Sequence, residues 1–81
     1  MNLNSGDEWS EMDDRDLAQA ITFAENVAEI ADFLCREVNE VRERAVELGP
    51  ERLANFVGRD AGEMRKRAHD LGLRIETGTS H

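Results

Sequence analysis

An internal repeat constrains this chain more than any other feature of its sequence. Residues 33–49 read FLCREVNEVRERAVELG and residues 56–72 read FVGRDAGEMRKRAHDLG, an offset of 23 positions. The alignment extends back to Ile30 in the first copy and to Leu53 in the second. Because two short copies are too few for a solenoid, each copy is predicted to be one supersecondary motif used twice. The repeat units are therefore residues 30–49 and 53–72.

Helix-start signals recur along the chain and define five predicted helices. The residues expected to precede a helix are Ser10, Asn26, Glu37 and Asp60. Ser10 with Asp13 has the spacing of a capping box, in which each side chain accepts a hydrogen bond from the other residue's backbone amide. Gly49 and Pro50 indicate a helix stop followed directly by a helix start, since glycine suits the end of a helix and proline its first position. No strand pattern competes, so the chain is predicted to be all-α, a compact five-helix domain.

Apolar positions at helical spacing predict one small core. The residues expected inside it are Leu17, Ile21, Ile30, Leu34, Val41, Leu48, Leu53, Val57, Met64 and Leu71. Trp9 is expected to pack on this core, Cys35 to be buried in a turn, and Leu73 or Ile75 to dock from the end of the chain. The predicted organisation is an acidic N-terminal arm (1–9), a single helical domain (10–75) and a C-terminal tail (76–81) that frays.

Charge is distributed unevenly between the two halves of the chain. The sequence has 10 basic and 18 acidic residues, and its formal charge of −8 opposes tight, non-specific binding to nucleic acid. Residues 1–50 hold four arginines against thirteen acids, whereas residues 51–81 hold six basic residues against five acids. A surface that meets phosphate is therefore expected in the second half.

The composition predicts a cytoplasmic protein that makes no membrane contact. The first residues are polar and acidic, unlike a secretory signal, and no apolar run is long enough to span a bilayer. The single cysteine agrees with a reducing compartment. Cys35, His69 and His81 are too dispersed for a metal site. No nucleophile with its base, phosphate loop or carboxylate pair is present, so we expect neither an enzyme nor a cofactor.

Each repeat copy has the outline of a helix-turn-helix: a short helix, a tight turn at an arginine and a longer helix. Trp9-Ser10 with Asp13-Asp14, followed by EIADFLCREVNEVRERAVELG, resembles the small bacterial Myb/SANT-like helix-turn-helix proteins. The second copy, LANFVGRDAGEMRKRAHDLGL, is similar to the recognition unit of GcrA-like and sigma-region-4-like domains. The resemblance implies two overlapping helix-turn-helix units and a DNA-binding, transcription-associated role.

The arginines allow two interpretations. Arg36, Glu40 and Arg44 form a ladder at i, i+4 and i+8, which Arg59, Glu63 and Arg67 repeat. Either ladder is explained as a solvated stripe of helical ion pairs, each contributing about 0.2–0.5 kcal/mol. In the second copy, the basic residues can instead contact DNA phosphates and base edges. The candidate nucleic-acid-binding residues are Arg59, Arg65, Lys66, Arg67 and His69. In the first copy Glu43 replaces Lys66, and one helix carries Glu37, Glu40, Glu43 and Glu47, which favours structure or protein contact there.

The acidic first half indicates a second class of function. The candidate protein-binding residues are Glu11, Asp13, Asp14 and Asp16, which also suit the positive end of the first helix dipole. The leading hypothesis is a small DNA-binding protein whose second unit contacts double-stranded DNA while the acidic half faces a protein partner. The alternative is an acidic protein-binding module, such as a phage-type inhibitor that mimics DNA and acts on a nucleic-acid-binding protein. Oligomeric state is left open.

Overall fold

The computed structural model describes residues 8–75 of the protein, and this part contains four helices. They are α1 (Glu11–Phe23), α2 (Val27–Leu34), α3 (Val38–Val57) and α4 (Ala61–Asp70). These described residues contain no strand, so the all-α class predicted from the sequence is confirmed. Two predicted segments fall outside the described residues. They are the first seven residues of the N-terminal arm (1–7) and the C-terminal tail (76–81).

Local capping explains where the helices begin. The Asp13 N–H donates to Ser10 Oγ at 3.1 Å, and the Ser10 N–H donates to Asp13 Oδ2 at 3.1 Å. Asn26 accepts from the Glu29 N–H at 3.0 Å, which begins α2 in the same way. Such bonds satisfy amides that have no partner within the helix. The capping box at Ser10 and the helix start at Asn26 are confirmed.

The number of helices differs from the prediction of five. The third and fourth predicted helices are the two halves of α3. Gly49 lies between these halves and has the non-helical angles φ 78° and ψ 165°. Because Pro50 lacks an N–H and has a helical φ preset by its ring, it can begin the second half with no linking loop. The predicted five helices are thus corrected to four, with a kink at the predicted stop.

The two repeat copies share their turn geometry. Cys35 ends α2 in the left-handed conformation (φ 58°, ψ 43°), and Gly58, its counterpart 23 positions later, ends α3 in the same conformation (φ 67°, ψ 34°). The following amides bond back alike, Arg36 N–H to Ala31 O at 2.9 Å and Arg59 N–H to Ala54 O at 3.0 Å. Cys35 is half-buried rather than buried as predicted, because the turn requires a left-handed residue instead of one enclosed between helices.

A single core lies between the four helices. Of the ten residues predicted to be inside, nine are buried, and Val57 packs against the core from a half-buried position. Trp9 also packs against the core, as predicted. Leu73 and Ile75 are both buried, where the sequence led us to expect one of them. The segment after α4 is therefore part of the globular domain, and it holds Arg74 beside that helix.

Candidate nucleic-acid interface

The second repeat copy places most of its predicted contact residues at the surface. Asp60 starts α4 by accepting from the Gly62 and Glu63 amides at 2.9 and 3.2 Å. Met64 and Ala68 face the core, which turns Arg65, Lys66 and His69 outward, and all three are exposed. Arg59, in the turn before α4, is also exposed and contacts Glu63 at 3.3 Å. Four of the five candidate residues are thus accessible.

Arg67, the fifth candidate, is half-buried and donates hydrogen bonds to two backbone carbonyls of the fold. Its Nε donates to the Ile21 carbonyl at 2.9 Å, and its Nη2 donates to the Ala24 carbonyl. Both carbonyls belong to the C-terminal end of α1, which has no basic residue in its own last turn. A cation there satisfies free carbonyls and opposes the negative end of the helix dipole. The geometry favours a structural role for Arg67, and its predicted contact with DNA stays a prediction.

A surface depression lies beside α4, between this helix and the segment that follows it. It has a volume of about 290 Å³ and is lined by Arg65, His69, Leu73, Arg74 and Ile75. The buried Leu73 and Ile75 fix the backbone on either side of the exposed Arg74. Two guanidinium groups and an imidazole thus surround one concave surface, an arrangement that suits the oxygen atoms of a phosphate.

A second depression, of about 400 Å³, adjoins the first at Arg74. Its other lining residues are Arg42, Val46 and Gly72. Arg42 and Val46 occupy the positions in the first repeat copy that Arg65 and His69 occupy in the second. The two copies therefore present equivalent helix positions to either side of Arg74. Sequence reasoning missed Arg42 and Arg74 as site residues, although the match of Arg42 with Arg65 was a signal that could have identified the first.

The arginines of the first copy have a different environment. Arg36 is only 2% exposed, its guanidinium lies 4.1 Å from the centre of the Trp9 ring, and its Nη2 donates to the Glu8 carbonyl at 3.2 Å. Its guanidinium nitrogens are also 3.5 Å from the carboxylates of Asp13 and Glu40. The prediction that this ladder is a solvated stripe is wrong for Arg36, because Trp9 and the start of α1 cover it.

Arg44 is bound by acidic side chains. Its Nε and Nη2 donate to the two carboxylate oxygens of Asp14 at 2.9 and 2.8 Å, and its Nη1 donates to Glu47 at 2.9 Å. These bonds, chiefly those with Asp14, raise the pKa of Arg44 above its ordinary value. Bidentate pairs of this kind fix geometry as well as charge. Arg44 therefore joins α1 to α3 and lines neither of the two depressions at Arg74.

Ion pairs within the protein occupy two of the four acidic residues proposed to bind a protein partner. Asp14 is only 3% exposed and is bound by Arg44, while Asp13 caps α1 and contacts Arg36. Asp14 thus has no carboxylate surface to offer a partner. Glu11 is exposed and Asp16 is half-buried, and their predicted role in protein binding stays a prediction.

Compared with protein families, with curated proteins and with solved structures, the chain has no significant match. The resemblance to Myb/SANT-like and GcrA-like proteins stays a prediction. Among the four helices described, none combines the length and the apolar character needed to cross a membrane.

Proposed function

We propose that this protein is a small, cytoplasmic, transcription-associated protein that binds double-stranded DNA through the second of two overlapping helix-turn-helix units. The observation that carries the proposal is the concave basic surface at α4, where Arg65, His69 and Arg74 line one depression. Exposed Lys66 and Arg59 extend the positive charge along the same copy. We call these five residues the basic surface.

The dimensions and polarity of α4 support this assignment. An α-helix with its side chains is about 10–12 Å across, which suits a major groove about 12 Å wide, and the ten residues of α4, Ala61–Asp70, extend about 15 Å at 1.5 Å per residue. In a helix-turn-helix the second helix of the unit takes that position. Contacts from arginine and lysine to phosphates would fix its orientation, and those to base edges would supply any sequence preference.

Charge explains why the second unit is favoured over the first. Arg36 and Arg44 are engaged by carboxylates, and Glu43 stands where the second copy has Lys66. The arginines of the first copy are thus occupied within the fold, and a duplex approaching this copy would meet Glu43 where the second copy presents Lys66. The net charge of −8 limits non-specific affinity, so binding should depend on the few cations of the basic surface.

The test is the salt dependence of binding to a fluorescently labelled duplex, measured by anisotropy. We expect the affinity of the unaltered protein to fall steeply with salt, and Arg65→Ala and Arg74→Ala each to flatten the log–log slope by about 0.9, one phosphate contact apiece. Arg15→Ala is the matched control, because Arg15 is an exposed arginine of α1 in the acidic half. The melting temperature of all three variants should stay close to that of the unaltered protein.

Two results would overturn the proposal. One is the absence of binding at low salt. The other is an equal change of slope for Arg15→Ala and Arg65→Ala, which would indicate general electrostatics. The alternative function, a phage-type inhibitor that mimics DNA, has less support because Asp13 and Asp14 are neutralised internally.

A further inference from the structure

Two phenylalanines form an exposed aromatic pair where α1 ends and α2 follows it. Phe23 ends α1 and is 59% exposed, and Phe33 in α2 is 51% exposed. Their ring centroids are 5.6 Å apart with the planes at 90°. Phe56, the repeat counterpart of Phe33, instead packs against the core. Large apolar side chains grouped at a surface are characteristic of interaction sites, whereas single ones are common everywhere.

Acidic residues lie near the two phenylalanines in the sequence of α2 and of the connection before it. Glu29 precedes Phe33 by four positions and so lies beside it on the same face of α2, with Asp32 adjacent. Glu29 also accepts from the Glu25 N–H at 2.7 Å, which holds the α1–α2 connection next to this face. The sequence has no lysine or arginine between Arg15 and Arg36. Within residues 8–75, no lysine or arginine forms an ion pair with Glu25, Glu29 or Asp32.

We propose that Phe23, Phe33, Glu25, Glu29 and Asp32, together the aromatic–acidic surface, bind a basic amphipathic helix of a partner protein. Leucine-like residues of such a helix would cover the two rings, and its lysines or arginines would pair with the three carboxylates. Aromatic anchors within a charged rim are the usual anatomy of a protein interface. A helix that lays its apolar stripe on a hydrophobic surface is a common form of peptide recognition.

Other occupants fit this surface less well. Residues 1–7 and 76–81 of this chain contain no lysine or arginine, so they cannot supply the complementary charge. A second copy that docks through the same surface would oppose the same three carboxylates across a two-fold axis. DNA and anionic membranes would be repelled for the same reason. The three carboxylates, which have no ion-pair partner among the described residues, therefore favour a cationic partner.

The experiment uses a synthetic peptide of about 18 residues, five helical turns, made of leucine and lysine in amphipathic order. A second peptide has the same composition in scrambled order. Binding to the full chain is measured by calorimetry at several salt concentrations. We expect the amphipathic peptide to bind more tightly, and Phe23→Ser with Phe33→Ser to weaken it at least about tenfold, as expected when buried aromatic anchors are lost. Glu29→Lys with Asp32→Lys should weaken binding and reduce its salt dependence.

Matched controls distinguish binding at this surface from non-specific hydrophobic or electrostatic binding elsewhere on the protein. Met12→Ser removes another exposed apolar side chain, 71% exposed, that lies on α1 about 16 Å from Phe23 at 1.5 Å per residue. Glu43→Lys changes an exposed acid of α3, outside the surface. Both variants should bind the peptide as the unaltered protein does, and circular dichroism should confirm that every variant is folded.

Three outcomes would overturn the proposal. The first is equal binding of the peptide by the phenylalanine variants and the Met12→Ser control. The second is self-association in sedimentation that is lost in the phenylalanine variants, which would make a second copy the occupant. The third is binding of the unaltered protein to anionic vesicles that depends on the same rings. The salt slope for duplex DNA should be unchanged in the phenylalanine variants, so failure of either proposal can be distinguished from failure of the other.

Discussion

Arg36 and Arg59 occupy the same position in the two repeat copies and have opposite surroundings. Arg36 is 2% exposed beneath Trp9, whereas the side chain of Arg59 is 48% exposed and has Glu63 as its ion-pair partner. Both side chains follow a left-handed residue and contact a glutamate four positions later. At the scale of single residues, the repeat therefore fixes the backbone and the local pair, but not burial.

This contrast gives a matched test of stability. We expect Arg36→Ala to lower the free energy of unfolding by about 2–4 kcal/mol, because it leaves Asp13 and Glu40 without their cation and empties the space under Trp9. The value lies below the top of the range for buried pairs since both carboxylates are partly exposed. Arg59→Ala should change the free energy of unfolding by no more than about 0.5 kcal/mol. Urea unfolding measures both, and equal losses would contradict the assigned burial of Arg36.

Some residue environments follow from the sequence because their causes are close by in the chain. Ser10 and Asp13 cap α1 across three positions, and Arg59 meets Glu63 across four. Arg36 reaches Glu8 across 28 positions, and Arg67 reaches Ile21 across 46. Helical spacing carries no information about such partners, so the sequence indicated a solvated stripe for the first arginine and left the second as a DNA contact.

At the scale of the helices, the kink in α3 determines where the second copy begins. Gly49 has a conformation (φ 78°, ψ 165°) that is essentially restricted to glycine, while Gly58 has the left-handed conformation that Cys35 also adopts. Beyond the adjoining residues and the backbone of its own helix, a Cβ at either glycine would meet nothing within 4 Å, so substitutions at the two positions differ mainly in backbone strain.

We therefore expect Gly49→Ala to be more destabilising than Gly58→Ala. The first should cost about 2–3 kcal/mol, the upper part of the range for a strained backbone, and the second about 1 kcal/mol. Thermal unfolding followed by circular dichroism at the helical band can compare the two. A Gly49→Ala protein as stable as the unaltered one would mean that α3 can straighten, and the kink would then not be required by the packing around it.

The helix starts were predictable, whereas the number of helices was not. Capping residues at Ser10, Asn26 and Asp60 act on amides two or three positions away, so their pattern is visible in the sequence. The signal at Gly49-Pro50 was also present, but it specifies a change of direction without specifying the length of the break. In the structure that length is a single glycine, and the predicted third and fourth helices become one kinked element.

At the scale of the whole molecule, both repeat copies contribute equivalent side chains to one core. Leu48 and Leu71 are 4% and 5% exposed and belong to the same buried cluster. Neither copy has a core of its own, so the domain should unfold in a single cooperative transition.

Substitution of either leucine by alanine is expected to cost about 2–5 kcal/mol. A chain of 81 residues has a total stability of roughly 4–12 kcal/mol, so either variant approaches or passes the limit of folding at 37 °C. Val46→Ala, at an exposed position of α3, should melt close to the unaltered protein. Two separate melting transitions in Leu48→Ala or Leu71→Ala would show that the copies unfold independently, contrary to the shared core.

The position of Trp9 has an optical consequence. The chain has one tryptophan and no tyrosine, and the Trp9 ring lies 4.1 Å from the Arg36 guanidinium and 6.0 Å from that of Arg44. Indole emission therefore originates at one place, where the start of α1 meets α3. Loosening of this junction would change the polarity around the indole and shift its emission, whereas none of these neighbours lines the depression between Arg65 and Arg74. The protein thus contains its own fluorescent label for folding, separate from the residues proposed to meet DNA.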